Sequence, residues 1–241
     1  MRYAIFSDVH SNLEALQAVL AACRAEGARK LFCAGDIVGY GANPKECIDL
    51  LRELNITCVA GNHDWAVCGR MDYGNFRDEG KKAIDWTKKV LSTQYIEFLN
   101  KLDLTFKTDE FVMVHATLNK PNLFQYLLDM NQSQDTFYLM DRTVCFVGHT
   151  HRPQIFAKQN DSVSLAQGLK IEINFQFKYI VNAGSVGQPR DGNPQACLCI
   201  FDPDLNRIEV KRVTYDIAGA QKKILEAGLP EMLARRLSVG Q

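Results

Sequence analysis

The stretch Ala60-Gly61-Asn62-His63-Asp64 places three polar side chains that can bind metals or move protons directly behind one glycine. Gly61 lets the backbone turn tightly, and Asn62 offers a neutral carbonyl oxygen to a metal ion. His63 is the side chain most easily tuned for proton transfer near neutral pH, and Asp64 can orient its imidazole. The alternative interpretation is an Asx turn that caps the next helix, since these residue types also favour loops.

The histidines of the chain help to decide between these interpretations. There are five, and each lies in a short polar cluster directly after an apolar run. The clusters are Asp8-Val9-His10, Asn62-His63-Asp64, His115 and Gly148-His149-Thr150-His151. Histidines scattered over a surface would not be distributed in this way, so the pattern favours one site built from the ends of several strands.

Such residues suit the hydrolysis of phosphate esters. Two metal ions held about 3.5–4 Å apart neutralise the charge of the phosphoryl oxygens and lower the pKa of a bound water. Asp36 is our candidate for the ligand that bridges them, because a carboxylate has two oxygens. The expected further ligands of the first ion are Asp8, His10 and His151. Those of the second ion are Asn62, His115 and His149.

Two divalent ions and two aspartates would leave this site with a net positive charge, which attracts an oxyanion. His63 is not needed as a ligand, and we expect it to be the general acid that protonates the leaving alkoxide, with Asp64 favouring the protonated imidazole. The nucleophile would be a metal-bound hydroxide. Asn12 and Arg190 are candidates for contact with the substrate, although Asn12 could instead cap a helix and Arg190 could instead tie down the turn at Asp191.

The loops that carry these residues follow predicted strands. Short apolar runs predict buried strands at residues 2–6, 30–34 and 56–60. Helical spacing of apolar residues predicts helices over residues 13–24 and from Asn43-Pro44 to about Leu54. Because open α/β sheets build their sites at the carboxyl ends of successive strands, we expect these polar loops to meet.

The same edge of the sheet should acquire three more histidines. Apolar runs at residues 111–114 and 144–147 predict two further strands, which end at His115 and at Gly148. Residues 77–102 carry apolar stripes at helical spacing, and we interpret them as a covering layer. The second group of polar loops therefore joins the first.

The pattern changes beyond Pro153. Residues 171–179 alternate between apolar and polar side chains, which predicts one half-exposed antiparallel strand. Together with the runs at 154–157, 162–166, 196–201 and 207–213, this strand predicts a second, largely antiparallel sheet. We expect an α/β fold in which two sheets pack face to face and are covered by helices.

Composition limits the class of protein. A chain of 241 residues with 46% hydrophobic and 23% charged residues is typical of a globular protein, and we expect a single domain over residues 1–241. The formal net charge of zero argues against a nucleic-acid polymer as a partner. We expect no signal peptide and no membrane association, and the eight cysteines, without Cys-x-x-Cys spacing, favour a cytoplasmic location.

The motifs, in their order, resemble those of the calcineurin-like metallophosphoesterase superfamily. They are Asp8-x-His10, Gly35-Asp36 with Gly39 and Gly41, Gly61-Asn62-His63-Asp64, His115 and Gly148-His149-Thr150-His151. Gly-Asn-His-Asp and Gly-His-Thr-His are specific in this context, whereas Asp-x-His alone is not. Ala116 departs from the glycine that often follows this histidine in the family. The stretch Asn182 to Arg190 resembles the C-terminal motif of the small bacterial and archaeal phosphodiesterases of that superfamily.

The resemblance implies a four-layer αββα sandwich of two mixed sheets flanked by helices, with the ligand roles given above. It implies a metal-dependent phosphoesterase, first a phosphodiesterase that acts on a small phosphorylated substrate. A phosphomonoesterase or protein phosphatase, a dinucleoside polyphosphate hydrolase and a scaffold without catalysis remain alternatives. The two divalent transition-metal ions would be manganese or iron, while nickel, cobalt and zinc also suit histidine and carboxylate ligands. The oligomeric state is not readable from the sequence.

Overall fold

The computed structural model describes residues 1–241 and contains two six-stranded sheets flanked by helices. Strands β1 to β12 span Tyr3–Phe6, Lys30–Cys33, Thr57–Cys58, Thr105–Lys107, Phe111–Val114, Val144–Val147, Gln154–Gln159, Ser162–Leu165, Lys170–Glu172, Lys178–Asn182, Ala196–Asp202 and Arg207–Val213. Helices α1 to α8 span Leu13–Ala25, Pro44–Glu53, Asn62–Cys68, Asp78–Val90, Thr93–Asn100, Met130–Leu139, Ile217–Glu226 and Glu231–Val239. A short 3₁₀ helix covers Pro121–Leu123.

Both sheets are mixed. The first has the order β3-β2-β1-β11-β12-β9, and the second has the order β4-β5-β6-β10-β7-β8. Strand β1 is parallel to β2 and antiparallel to β11, whereas β6 is parallel to both β5 and β10. The carboxyl ends of β1 and β2 therefore share one edge, and those of β5 and β6 share another.

The prediction that the late strands form a sheet of their own is wrong. Strands β9, β11 and β12 extend the sheet of β1, whereas β7, β8 and β10 extend the sheet of β5 and β6. Every residue of β11 is buried, and a strand covered on both faces must lie inside a sheet rather than at its rim. Pairing β11 with β1 covers both of them.

The single strand predicted over residues 171–179 is also wrong. It is divided between β9 and β10, which belong to different sheets. Asn174 makes the turn between them, because its side-chain oxygen accepts a hydrogen bond from the Gln176 amide at 2.9 Å and its carbonyl accepts one from the Phe177 amide at 2.9 Å. Period-two alternation continues through this turn, so pattern alone could not reveal the break.

Elsewhere the elements follow the sequence closely, with one shortened strand. The strands predicted at 111–114 and 144–147 are confirmed as β5 and β6, but the prediction that they share a sheet edge with β1 and β2 is wrong, since they lie in the second sheet. The helical layer over 77–102 is confirmed as α4 and α5. The strand predicted over 56–60 shortens to β3, and α3 begins immediately at Asn62. The two interpretations of Gly61 to Asp64, a loop with candidate catalytic residues and the start of a helix, are therefore compatible, because the same residues do both.

Three apolar clusters define the layers of the sandwich. The inward faces of the two sheets meet in a cluster of 19 buried residues that includes Ile5, Phe146 and Phe201. On the outer side of the first sheet, helices α1 and α2 pack in a cluster of 25 buried residues. On the outer side of the second sheet, α6 contributes Phe137 to a third cluster. The four-layer arrangement is confirmed, and every helix is too short or too polar to cross a lipid bilayer.

Candidate metal centre

The seven expected ligands come together in one buried cluster. Six of them lie in loops after β1, β2, β5 and β6, and the seventh, Asn62, opens helix α3. All are buried, with exposed fractions from 0% to 7%. Because the two sheets pack face to face, the loops after β1 and β2 meet those after β5 and β6, and residues separated by as many as 143 positions in sequence, namely Asp8 and His151, become neighbours.

The first group of ligands surrounds the Asp8 carboxylate. Asp8 Oδ1 lies 3.3 Å from His151 Nε2 and 3.7 Å from His10 Nε2. The Nε2 atoms of His10 and His151 are 3.1 Å apart. Asp36 Oδ2 completes the group at 3.5 Å from His10 Nε2. One donor atom from each of these four residues lies within 4.8 Å of all the others, a spacing that could hold one metal ion.

The second group shares Asp36 with the first. Asp36 Oδ2 is 3.4 Å from His115 Nε2. That same nitrogen is 3.2 Å from His149 Nδ1 and 3.2 Å from Asn62 Oδ1. A single carboxylate oxygen therefore faces both groups, which is the position that a bridging ligand requires.

The donor atoms of the first group are arranged to bind a cation, because they cannot form hydrogen bonds with one another. His10 Nδ1 is 3.1 Å from the Val38 carbonyl and His151 Nδ1 is 2.5 Å from the Gln188 carbonyl, so each Nδ1 carries the proton that it donates. In the neutral form of both rings the two Nε2 atoms, 3.1 Å apart, then present lone pairs to each other. Asp8 Oδ1 is also buried without a hydrogen-bond partner. Ring orientation by backbone carbonyls is typical of metal-binding histidines, and a cation between these atoms would satisfy them.

The backbone is strained at most of these ligands. Left-handed φ angles between 48° and 68° occur at Asp8, His10, Asp36, His149 and His151. Non-glycine residues adopt this conformation at a cost of about 1–2 kcal/mol each, and such strain concentrates at functional sites. The loops close on one another so tightly that a Cβ atom at Gly61 would overlap the Asp36 carboxylate.

Electrostatics divide the buried groups into charged and neutral members. Burial opposes ionisation of Asp36, yet the neighbouring His115 and His63 imidazoles hold the pKa of that carboxyl well below its ordinary value. Burial likewise opposes a charge on His115, but Asp36 raises the pKa of this imidazole to about 9. Burial lowers the pKa values of His149 and His151 well below the ordinary value. Those two rings are neutral near pH 7 and have lone pairs to offer.

His63 lies beside the ligands without joining them. Its amide donates a hydrogen bond to Asp36 Oδ1 at 2.8 Å, and its ring packs between His10 and Tyr40 at centroid distances of 4.8 and 4.4 Å. The Nδ1 atom is buried without a partner, close to the backbone of Gly39. Burial lowers the pKa of this imidazole to about 3, so the ring is neutral at physiological pH in the metal-free protein.

The expected contact between Asp64 and the His63 imidazole is absent, and this prediction needs correction. Asp64 Oδ1 accepts hydrogen bonds from the amides of Ile37 and Val38 at 2.9 and 3.2 Å, and Oδ2 accepts one from Gly61 at 2.9 Å. Adjacent residues on a helix point about 100° apart and do not face each other. Asp64 instead ties the loop after β2 to the start of α3.

We therefore expect Asp64→Ala to act on stability and not on proton transfer. Three buried amides would lose their acceptor, and the free energy of unfolding should fall by about 3 kcal/mol or more. Urea denaturation measures this loss, with His63→Gln as the neighbouring control of near wild-type stability. An Asp64→Ala protein of normal stability whose rate had become sensitive to the leaving group would restore the orienting role.

The two expected substrate contacts have different outcomes. Asn12 is the N-cap of α1, where its side-chain oxygen accepts from the Ala15 amide at 3.1 Å and its side-chain nitrogen donates to the Gly187 carbonyl at 2.9 Å. Both ends of this amide are in use, so the prediction that Asn12 contacts substrate is corrected to the capping role.

Arg190 remains available to a ligand. Its guanidinium donates to Gln188 Oε1 at 2.8 and 3.2 Å, stacks over the Tyr40 ring and lines a cavity beside the metal ligands. The alternative role, tying down the turn at Asp191, belongs to Arg212, which forms the ion pair with that aspartate.

The cavity also contains residues that lie outside the sequence motifs. It has a volume of about 800 Å³, and His63, His149 and Asn62 lie in its wall. Other residues of its wall are Tyr40, Phe76, Arg77, Phe124, Tyr126, Arg152 and Arg236. They come from segments far apart in the chain and share no motif, so only the folded arrangement identifies them.

Comparison with known proteins identifies the family of the chain. The profile of the calcineurin-like phosphoesterase superfamily domain matches residues 1–205. An uncharacterised protein of Methanocaldococcus jannaschii is 44% identical over 242 residues, which cover 99% of this chain and 98% of the relative.

Solved structures show the same relationship. A metallophosphoesterase from Sphaerobacter thermophilus is 38% identical with a TM-score of 0.86, and the match covers 100% of this chain and 99% of that one. A hypothetical protein from Pyrococcus horikoshii, at 19% identity, has the same fold with a TM-score of 0.81 over 100% of this chain and 98% of its own. The chain belongs to the calcineurin-like phosphoesterase superfamily and is a hydrolase that acts on phosphoric ester bonds.

Proposed function

We propose that the protein is a phosphodiesterase whose active site holds two divalent transition-metal ions side by side. The observation that carries this proposal is the position of Asp36, whose Oδ2 lies 3.5 Å from His10 Nε2 and 3.4 Å from His115 Nε2. Asp8, His10 and His151 would hold one ion together with Asp36. Asn62, His115 and His149 would hold the other. Manganese or iron suits this set of nitrogen and oxygen ligands.

The ions, when bound, supply charge neutralisation at the phosphoryl oxygens and Lewis-acid activation of a water. The chain's own residues perform the remaining tasks. Arg190, beside the histidines, binds and orients the phosphate through its planar guanidinium. The buried walls around His63 and His149 exclude bulk water from the reacting group, which strengthens each of these interactions.

His63 is the residue that we assign to the leaving group. Its Nδ1 faces the backbone of Gly39, so Nε2 is the atom left to face the cavity and to hold the proton that the leaving oxygen receives. Burial keeps the ring neutral in the free protein. A phosphate anion bound beside the ring favours its protonated form, because opposite charges attract strongly where water is excluded.

The preference for a diester rests on the stretch from Asn182 to Arg190, which resembles the C-terminal motif of small phosphodiesterases. This stretch supports the first group of ligands through its backbone. The Gly187 amide donates to the Asp8 carbonyl at 2.8 Å, the Gln188 carbonyl accepts from His151 Nδ1 at 2.5 Å, and the Arg190 amide donates to the His151 carbonyl at 3.1 Å.

Metal analysis and a substrate comparison test this proposal together. The purified protein should contain close to two transition-metal ions per chain. With manganese present, bis(4-nitrophenyl) phosphate should be hydrolysed faster than 4-nitrophenyl phosphate and faster than a dinucleoside polyphosphate. One ion per chain would refute the paired site, and a faster monoester would refute the diesterase assignment while leaving the metal site in place.

A further inference from the structure

Four arginines converge on the cavity beside the metal ligands. They are Arg77, Arg152, Arg190 and Arg236. They come from the residue before α4, the loop after β6, the loop after β10 and the helix α8. No aspartate or glutamate lines the same cavity. The wall is therefore strongly cationic even before any metal ion binds below it.

Ion pairing distinguishes the cavity arginines from four of the nine other arginines of the chain. Arg2, Arg142, Arg212 and Arg235 each form an ion pair with an aspartate or glutamate. None of the four cavity arginines does so within 4.0 Å. Positive charges held close together without counter-ions destabilise a fold by mutual repulsion, so an anion bound between these arginines would stabilise it.

The four arginines fall into an inner and an outer pair. Arg190 and Arg152 are tied together near the metal ligands, because Arg152 Nε donates to the Arg190 carbonyl at 3.0 Å and the Arg190 amide donates to the carbonyl of His151. The Arg190 guanidinium also stacks over the Tyr40 ring, which in turn packs against the His63 ring at a centroid distance of 4.4 Å. The inner pair is thus placed for the phosphate that reacts.

The outer pair has no partner of any kind. The side chains of Arg77 and Arg236 make neither ion pairs nor hydrogen bonds, whereas neighbouring Arg235 bonds to Glu231 at 2.7 Å. Arg236 is half-buried because α8 packs against α7 and α4 through Leu233, Leu237 and their neighbours. Burial, followed by the charges of Arg190 and other groups including Arg77, lowers the pKa of Arg236 from its ordinary value. The guanidinium groups of Arg236, Arg190 and Arg77 are therefore close enough to repel one another electrostatically.

We infer that the substrate carries a second phosphate group, which Arg77 and Arg236 bind while the scissile phosphate lies at the metal centre and Arg190. This inference rests on the proposed function and narrows its substrate class to phosphodiesters with an additional phosphate. Two guanidinium groups suit a phosphate in particular, since each can donate two parallel hydrogen bonds to its oxygens. A cavity of about 800 Å³ has room for an organic group that joins two phosphates.

Calorimetric binding of two nucleotides to the manganese-loaded protein tests this inference without turnover. Thymidine 3′,5′-bisphosphate should bind at least about tenfold more tightly than thymidine 5′-phosphate, because charge-assisted hydrogen bonds to the second phosphate add to the affinity. Arg77→Gln and Arg236→Gln should each reduce this ratio, and the double variant should bring it close to one. Arg235→Gln, which changes the adjacent exposed arginine of α8, should keep the wild-type ratio.

A ratio near one in the wild-type protein, or an unchanged ratio in the double variant, would overturn the inference. Arg77 is exposed at the start of α4, so its variant reports on binding even where Arg236→Gln impairs folding. Hydrolysis of the 4-nitrophenyl ester of thymidine 5′-phosphate is measured in parallel. If the two nucleotides bind equally well while the ester is still hydrolysed, only the inference of a second phosphate is wrong. If the bisphosphate binds more tightly but the ester is not hydrolysed, only the phosphodiesterase assignment is wrong.

Discussion

Asp36→Asn is expected to slow the proposed phosphodiesterase reaction by roughly a thousandfold or more, since a loss of several kcal/mol of transition-state stabilisation has that effect on rate. The Asp36 carboxylate is the one group shared by both sets of ligands, at 3.5 Å from His10 Nε2 and 3.4 Å from His115 Nε2. An amide of the same shape has no negative charge and presents only one oxygen. Metal content should fall together with the rate.

The matched control for Asp36→Asn is Asp202→Asn. Asp202 is likewise a buried aspartate, but it pairs with Arg2 at 2.9 Å at the opposite end of β1 and β11 from the metal ligands. Its variant should lose some stability and keep both metal ions. Full activity and two bound ions in Asp36→Asn would show that another residue bridges the site, and the proposed arrangement would then be wrong.

The convergence of the candidate metal ligands could be predicted because their signal is local. Each short apolar run, such as those of β1 and β6, ends in a polar group that carries an aspartate or a histidine. Parallel pairing then brings the ends of neighbouring strands together within each sheet, and the face-to-face packing of the two sheets joins the two halves of the cluster. The seven ligands are in contact in the structure for this reason, although they are spread over residues 8–151.

The role of Asp64 could not be predicted because proximity in sequence is a poor guide to contact on a helix. The residue follows His63 directly, which suggested a hydrogen bond between them. Helix α3 begins at Asn62 and turns the two side chains in different directions. The Asp64 carboxylate meets the amides of Ile37 and Val38 instead. A helix start recognised at Asn62 excludes the contact with His63, but the partners of Asp64 in the loop after β2 become visible only in the folded structure.

The position of Arg236 in the cavity wall could not be predicted from sequence patterns, for a different reason. Arg236 lies in a C-terminal helix that contains no catalytic motif. It reaches the cavity only because Leu233 and Leu237 seat α8 against α7 and Ala83 of α4. Tertiary packing of this kind involves apolar residues that any amphipathic helix could carry. The metal centre is therefore encoded in motifs, whereas the walls that select a substrate are encoded in packing.

His63→Gln is expected to slow the hydrolysis of esters with poor leaving groups by about a hundredfold to ten-thousandfold, the usual contribution of a general acid. Glutamine fills a similar space between Tyr40 and Phe76, but it cannot transfer a proton. The loss should therefore depend on the substrate. Phenyl and alkyl diesters, whose leaving oxygens need a proton, should suffer most, whereas a 2,4-dinitrophenyl ester should react at nearly the wild-type rate.

Metal content and the leaving-group series together distinguish this role from the other roles that His63 could have. The His63 ring lies 4.8 Å from the His10 ring, so a His63 that bound an ion would take that ion with it when replaced. Two ions per chain and a steep dependence on the leaving group are the result that proton donation requires. An equal slowing of all esters with both ions retained would instead show that His63 only positions the phosphate, since the bond to the leaving oxygen would then break without its proton.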